Sequence, residues 1–196
     1  MAFSASGNHL NKQTALFIDG PNLFATAQAV DLNIDFAALL NYYKKRCNLL
    51  RAYYYTALPE RFVDQPEGKS IIPLIDWLDF HGYTIVSKAT KSFIDSEGRQ
   101  RTKGNMDTEL TLDVVDLVPS LTDIILFSGD GDFAPLLKWV QRRGVRTTVV
   151  STCMSKPSPM VADELRRVTD VFVDLGNNPE YPSDLREAIT RVDTRR

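Results

Sequence analysis

The feature that most constrains the fold of this 196-residue chain is a regular alternation of two sequence patterns. Short apolar, β-rich runs alternate with segments whose apolar residues recur at helical spacing. Strands separated by helices pair in parallel and are buried on both faces, so this order predicts an α/β fold with a mainly parallel central sheet between two helical layers. Strands are predicted at 15–19, 49–57, 83–88, 123–128, 145–151 and 171–175, and helices at 35–47, 70–80, 107–118, 132–143 and 159–167.

The extent of this alternation sets the expected domain boundaries. It occupies residues 14–176, which we interpret as one domain. Residues 1–13 are predicted to form a flexible leader, and residues 177–196 a polar C-terminal tail with a short helix at 183–192. Residues 91–101 contain a turn between short extended pieces and are predicted to be a hairpin or a loop.

Composition limits the classes of protein that the domain can represent. Hydrophobic residues make up 43% of the chain and charged residues 24%, which allows a real core and excludes global disorder. The net charge of −2 argues against a protein that coats nucleic acid over its whole surface, but allows a local basic groove. The chain shows neither an apolar run near the ~18 residues of a membrane span nor a secretory signal, so a cytoplasmic protein without membrane contact is expected.

Cysteine and histidine are too few and too scattered to suggest thiol or imidazole chemistry. Cys47 and Cys153 lie far apart and form neither a disulfide framework nor a paired metal motif. The only histidines are His9, in the predicted leader, and His81. Chemistry that rests on carboxylates is therefore the better expectation.

Aspartates stand at the predicted carboxyl ends of two strands. Asp19 ends the first strand, and Asp130 and Asp132 follow the fourth in the sequence SGDGDF. Functional groups gather at the carboxyl ends of parallel strands, so we expect these three carboxylates to converge at one rim. A fourth acid, Asp107, opens a predicted helix. Taken singly, each aspartate fits equally well as a turn residue or a helix N-cap, so only their joint placement points to a site.

Converging carboxylates repel one another, and a hard divalent cation offsets that repulsion. Mg²⁺ and Mn²⁺ prefer oxygen ligands of this kind. One or two such ions activate water and stabilise the charge that develops during attack on phosphorus. The four acids therefore favour a site for Mg²⁺ or Mn²⁺.

Three motifs resemble those of NYN-domain proteins of the LabA-like group, in the PIN-like nuclease superfamily. DGPNL at 19–23 resembles their DGxN start, KGNMD at 103–107 their K-G-x-x-D helix opening, and SGDGDF at 128–133 their SGDxDF signature. The segment 165–175 is similar to the closing segment of the family, so the resemblance covers residues 14–176. One departure is Asn105-Met106, where an apolar residue such as valine is common in place of one of the two.

The resemblance implies a PIN-like three-layer α/β/α sandwich with a divalent-metal ribonuclease site. The metal ligands, which are also catalytic residues, carry over as Asp19, Asp107, Asp130 and Asp132. Asn22 carries over as a catalytic partner near the first acid. Supporting roles carry over to Ser128, Asp113 and Lys103.

A cluster of basic residues precedes Asp107 and suggests a contact with substrate. If residues 90–103 fold over the acidic rim, cations there could bind phosphates and an aromatic ring could stack on a base. A solvated charged hairpin is the alternative. The residues predicted to bind substrate are Lys91, Phe93, Arg99 and Arg101, with Lys88 in the same cluster.

The favoured function is a metal-dependent ribonuclease that hydrolyses phosphodiester bonds of single-stranded RNA with Mg²⁺ or Mn²⁺. The alternative is an RNA- or nucleotide-binding regulatory protein of the same fold with little or no turnover. A haloacid-type phosphatase is disfavoured because Pro21 stands where its second aspartate is needed, and no GxGxxG follows the first strand to bind a dinucleotide. A homodimer is compatible with the sequence.

Overall fold

Strand β1 (Gln13–Asp19) is the central strand of the sheet, and its sequence explains this position. The residues from Ala15 to Ile18 are all fully buried, so protein covers both faces of the strand. A strand in that place needs apolar side chains in both directions, which a continuous apolar run provides. The computed structural model describes residues 13–59, 71–94, 100–103 and 105–191 of the chain.

The other strands lie on both sides of β1. On one side are β2 (Asn48–Pro59) and β3 (Thr84–Ile94), and on the other are β5 (Asp123–Phe127), β6 (Arg146–Ser151) and β7 (Val171–Asp174). Within the described residues these strands and β1 form a six-stranded parallel sheet, and β4 (Gln100–Lys103) pairs antiparallel with β3 at its edge. The prediction of a mainly parallel sheet is confirmed.

The strand order reverses between β1 and β5. From β1 the chain builds outward through β2 and β3 to β4, then crosses back and places β5 on the opposite side of β1. In open sheets of this kind, ligands bind at the reversal, outside the carboxyl ends of the strands. The ends of β1 and β5 are therefore the place where a site is expected.

Helices cover both faces of the sheet, which confirms the predicted α/β/α sandwich. The side chains of Leu16 and Ile18 face one helical layer, and those of Ala15 and Phe17 face the other. The first layer comprises α1 (Gly20–Ala29), α2 (Phe36–Arg46), α3 (Ile72–Phe80) and α7 (Leu185–Ile189). The second comprises α4 (Asp107–Leu117), α5 (Ala134–Gln141) and α6 (Asp163–Val168). None of the helices in the described ranges has the length and apolar character required to cross a bilayer.

Helix α1 occupies residues to which the sequence analysis assigned no element. Proline is favourable in the first turn of a helix, where its missing N–H has no partner to lose. Asp19 then caps the helix by accepting a hydrogen bond from the Asn22 N–H. The sequence leaves this segment open because a turn and a helix start share these residue types.

Smaller differences concern the ends of elements. Helix α6 begins at Asp163, later than predicted, and a single 3-10 turn at Gly131–Phe133 precedes α5. The segment 91–101 forms part of an antiparallel ladder in which Phe93 pairs with Arg101, so the hairpin interpretation holds rather than the loop. Residues 95–99, which connect the two strands, lie outside the described residues.

Residues 185–190 pack against the first helical layer. Leu185 and Ile189 of α7 are buried beside α2, and Thr190 forms an antiparallel bridge with Ile34. The segment that was interpreted as a polar tail therefore contributes apolar side chains to the core as far as its described residues extend.

Helix α4 allows a matched test of this core. Leu110 is 1% exposed, whereas Leu112 is 58% exposed. We expect Leu110→Ala to lower the free energy of unfolding by about 2–5 kcal/mol, because it leaves a cavity. Leu112→Ala should change it by about 0.5 kcal/mol or less. Urea denaturation measures both, and similar losses for the two variants would contradict the described packing of α4.

Candidate functional site

The carboxylate of Asp19 links the ends of the two central strands. One oxygen, Oδ1, accepts the Asn22 N–H at 3.3 Å and so caps α1. The other, Oδ2, accepts the hydroxyl of Ser128 at 3.0 Å, immediately after β5. The parallel pairing of β1 with β5 brings these two strand ends side by side, so this contact depends on the sheet topology.

Asn22 and Ser128 attach the acidic loop (residues 128–133) to the start of α1. The side-chain oxygen of Asn22 accepts the Gly129 N–H at 2.9 Å. The Ser128 hydroxyl, which donates to Asp19, also accepts the Asp130 N–H at 3.2 Å. Both side chains therefore hold the loop in place through its backbone.

The acidic loop is further constrained from within and from below. The Asp130 carboxylate accepts the Asp132 N–H at 3.0 Å and caps the 3-10 turn, and Phe133 anchors that turn in the core. Gly129 packs so closely that an added β-carbon would clash with the Met160 carbonyl oxygen. A loop that is fixed in this way presents its two carboxylates in a defined direction.

Asp107 reaches the same rim from the second helical layer. Its N–H donates to the side-chain oxygen of Asn105 at 2.6 Å, and the amide of Asn105 donates back to the Asp107 carboxylate. Asn105, one of the two residues that depart from the family pattern, thus orients the carboxylate at the start of α4. Met106 is buried in the core below it.

Three aspartates from two elements come together at this rim. Asp107, Asp130 and Asp132 each offer a carboxylate oxygen, and these three atoms lie within 4.8 Å of one another. We call this group the acidic cluster. In the described part of the chain it is the group of histidine, cysteine, aspartate or glutamate side chains whose spacing suits a metal ion. Asp19 lies beside it, close enough for its charge to interact with Asp107 and Asp130.

Burial and mutual repulsion destabilise the ionised forms of two of these acids. Burial is the largest cause that raises the pKa of Asp19, against the opposing hydrogen bonds from Asn22 and Ser128, and the charges of Asp107 and Asp130 raise it further. Burial also leads in raising the pKa of Asp107, and neighbouring aspartates add to it. A cation at the rim would relieve both effects.

A lysine and a glutamate that the sequence analysis did not pair stand next to the cluster. The Lys88 ammonium, on β3, lies 2.9 Å from both carboxylate oxygens of Glu109, in the first turn of α4. The positive charge of Lys88 also lowers the pKa of Asp107, which places the ammonium near the acidic cluster. The position of Glu109 two residues after Asp107 was the available sequence signal.

The remaining predicted residues are placed as follows. Asp113 accepts the hydroxyl of Tyr55 at 2.9 Å and connects α4 to β2 at the residue that pairs with Asp19 in the sheet. Arg99 lies outside the described residues. The backbones of four others form the ladder between β3 and β4, and their side chains lie outside the described part: Lys91, Phe93, Arg101 and Lys103.

Comparisons with known proteins agree with this fold. The chain matches the NYN domain over residues 13–176. It is 34% identical over 167 residues to the Low amplitude and bright protein LabA of Synechococcus elongatus, which covers 83% of each chain. A crystal structure of VPA0982 from Vibrio parahaemolyticus, a protein of unknown function, has a TM-score of 0.66 at 21% identity and covers 87% of this chain and 96% of that one.

The α/β/α sandwich is thus a fold that the chain shares with this solved structure. The chain belongs to the NYN domain family and is a LabA-like member of it. The resemblance inferred from the three sequence motifs is confirmed.

The raised pKa of Asp107 predicts how stability depends on pH without metal. The folded protein holds this proton more tightly than the unfolded chain, so the associated stability is present below the unfolded pKa of about 4 and is lost as pH rises through the folded pKa. In chelator, Asp107→Asn should therefore be more stable than the native chain at pH 7, with the difference shrinking towards pH 4. Thermal unfolding at the two pH values measures it.

Asp116→Asn is the matched control, because Asp116 is an exposed aspartate near the other end of α4. Its removal from the last turn of α4 should give only the small gain of about 0.3–1 kcal/mol that is expected at a helix C-terminus. An Asp107→Asn variant that is less stable than the native chain at pH 7 would contradict the balance of burial and repulsion described above.

Proposed function

We propose that this chain is a metal-dependent ribonuclease that hydrolyses RNA phosphodiester bonds at the acidic cluster. The observation that carries the proposal is the approach of three carboxylate oxygens to within 4.8 Å of one another at the strand-order reversal. Membership of the NYN family supports a nuclease, and the match to LabA supports the group. A cytoplasmic location remains part of the proposal.

The donor set suits Mg²⁺ or Mn²⁺. All the candidate ligands are carboxylate oxygens, which hard divalent ions prefer, and the described cluster contains neither sulfur nor imidazole. We assign Asp107, Asp130 and Asp132 as the main ligands and Asp19 as the fourth. A bound ion would activate water and stabilise the charge on the phosphate during attack.

The residues around the cluster then have separate tasks. Ser128 holds the Asp19 carboxylate, and Asn105 holds that of Asp107. The side-chain oxygen of Asn22 is engaged by Gly129, so its NH₂ group is the part that can donate to a phosphate oxygen. Each of these hydrogen bonds fixes the direction of a carboxylate or amide group before the substrate binds. Less conformational entropy is then lost when the site is ordered for the reaction.

Binding of single-stranded RNA would need cations near this acidic rim, and Lys88 on β3 is one candidate. Lys88 uses two of its three N–H groups on Glu109, which leaves one for a phosphate. We extend the same role to Lys91, Arg99, Arg101 and Lys103, with Phe93 as a stacking partner. An RNA-binding regulator without turnover is the alternative that the cleavage experiment below decides.

Divalent ions should stabilise the protein through the acidic cluster. An ion at 100 times its Kd contributes about 2.7 kcal/mol, or roughly 5–10 °C in Tm for a chain of this size. Asp130→Asn should reduce the shift caused by Mn²⁺ or Mg²⁺, whereas Asp116→Asn should retain it. Differential scanning fluorimetry with each ion and with chelator measures the effect. Equal shifts in the two variants would contradict a site at the cluster.

Cleavage of a mixed single-stranded RNA ladder tests the function itself. We expect cleavage with Mn²⁺, none with chelator, and a loss of about 10²-fold or more for Asp19→Asn, because it removes a charge that the reaction depends on. Since binding rests mainly on cations, Asp19→Asn should keep much of its RNA affinity. Lys88→Ala should weaken binding, and Lys138→Ala on α5 serves as its control.

The two classes of function give different results. RNA binding without cleavage, unchanged by Asp19→Asn, favours the regulator. Absence of both binding and cleavage on every RNA tested removes RNA as the substrate.

A further inference from the structure

A groove between α1 and α3 opens on the first helical layer and is distinct from the acidic cluster. Its volume is about 450 Å³, which lies within the range of pockets that hold small ligands. Four aromatic side chains line it: Phe24, Phe36, Tyr54 and Trp77. Phe24 is 62% exposed, so a large apolar ring on α1 faces the solvent at the edge of this groove.

The groove begins at the rim that carries the aspartates. Gly20, which directly follows Asp19, lines it together with Tyr54. A β-carbon added to Gly20 would lie only 2.7 Å from the Tyr54 ring. The wall of the groove is therefore in direct contact with the residue that follows β1. The end of the groove at Gly20 thus adjoins the carboxyl end of β1.

Polar groups along the groove suit an aromatic ligand with hydrogen-bonding edges. Gln28 and Asn33 provide amide groups, and Arg191 provides a cation. Asp35 also lines the groove, where its carboxylate accepts the Ala38 N–H and caps α2. The backbone N–H of Arg191 donates to the backbone carbonyl of Asn33 at 2.8 Å, which fixes this end of the groove. Trp77 stacks on His81 with ring centroids 3.8 Å apart, so one of its faces is already covered.

We propose that this groove binds a nucleobase of the single-stranded RNA whose phosphate lies at the acidic cluster. The proposal rests on the proposed function and identifies where the strand leaves the rim. A base has a flat apolar face for Phe24 and Trp77 and polar edges for Gln28 and Asn33. An adjoining phosphate would meet Arg191, whose charge is complementary to it.

The first experiment compares Phe24→Ala with Phe80→Ala. Phe80 is 88% exposed on α3 but does not line the groove, so it is a matched control. Both changes are made in the non-cleaving Asp19→Asn background, and affinities are measured with Mn²⁺ by fluorescence anisotropy for a single-stranded RNA and for an oligonucleotide of equal length with abasic sites. Phe24→Ala should weaken binding of the RNA about tenfold and leave the abasic oligonucleotide unchanged. Phe80→Ala should bind both like the Asp19→Asn chain without a second change.

Tryptophan fluorescence gives a second measurement that does not require a change at Phe24. The chain has two tryptophans, Trp77 in the groove and Trp139 on α5. RNA should quench the emission of Trp139→Phe, which retains Trp77, and should have little effect on Trp77→Phe. The abasic oligonucleotide should quench neither variant.

Several outcomes overturn the proposal. One is that Phe24→Ala and Phe80→Ala bind RNA with equal affinity. Another is that Phe24→Ala loses as much affinity for the abasic oligonucleotide as for RNA. A third is that RNA still quenches the fluorescence of Trp77→Phe. Self-association that Phe24→Ala abolishes, without any base-dependent binding, would make the groove a protein docking face instead. If Asp19→Asn abolishes RNA cleavage but Phe24→Ala leaves the KM for cleavage unchanged, only the groove proposal is refuted. Base-dependent binding without cleavage refutes the nuclease and supports the groove.

Discussion

The parallel pairing of β1 with β5 is the constraint on which the rest of the rim depends. It aligns Ile18 with Phe127, so the next residues, Asp19 and Ser128, leave the sheet side by side. Their hydrogen bond, and that of Asn22 with the loop after β5, both require this adjacency. The buried β1 run makes that central position favourable, because it offers apolar side chains to both layers. The burial of β1 on both faces and the geometry of the rim thus both depend on the same strand order.

The cost of assembling the rim is electrostatic, and its source is visible in the raised pKa values of Asp19 and Asp107. Hydrogen bonds from Ser128 and Asn105 stabilise the two carboxylates, yet burial and the neighbouring acids outweigh them. Lys88 offsets little of this charge, since Glu109 engages it. The hydrophobic cluster between the sheet and the second helical layer holds the loop and α4 in place against the repulsion. A divalent cation would remove the repulsion and the burial penalty together, which is why the same features favour its binding.

Much of the fold follows from local patterns, whereas the contacts between elements do not. The β1 run and the strand before the acidic loop were predictable because continuous apolar residues bounded by turn residues have few other solutions. Helix α1 was missed because Gly20 and Pro21 are typical of turns as well as of helix starts. The parallel topology predicted that Asp19, Asp130 and Asp132 meet at one rim, whereas the inclusion of Asp107 was implied by the family motifs. The Lys88–Glu109 pair was not predictable, since it joins residues that only the arrangement of β3 and α4 brings together.

Helix α1 connects the acidic rim with the groove between α1 and α3. Both oxygens of its N-cap, Asp19, already accept one hydrogen bond, from Asn22 and Ser128. Each carboxylate oxygen has a second lone pair, so capping and metal ligation are compatible at the same residue. The face of α1 that carries Phe24 borders the groove. Because the helix has only 10 residues, its stability comes from this cap and from packing rather than from its own propensity. The Asp19 cap therefore stabilises the same helix that forms a wall of the groove.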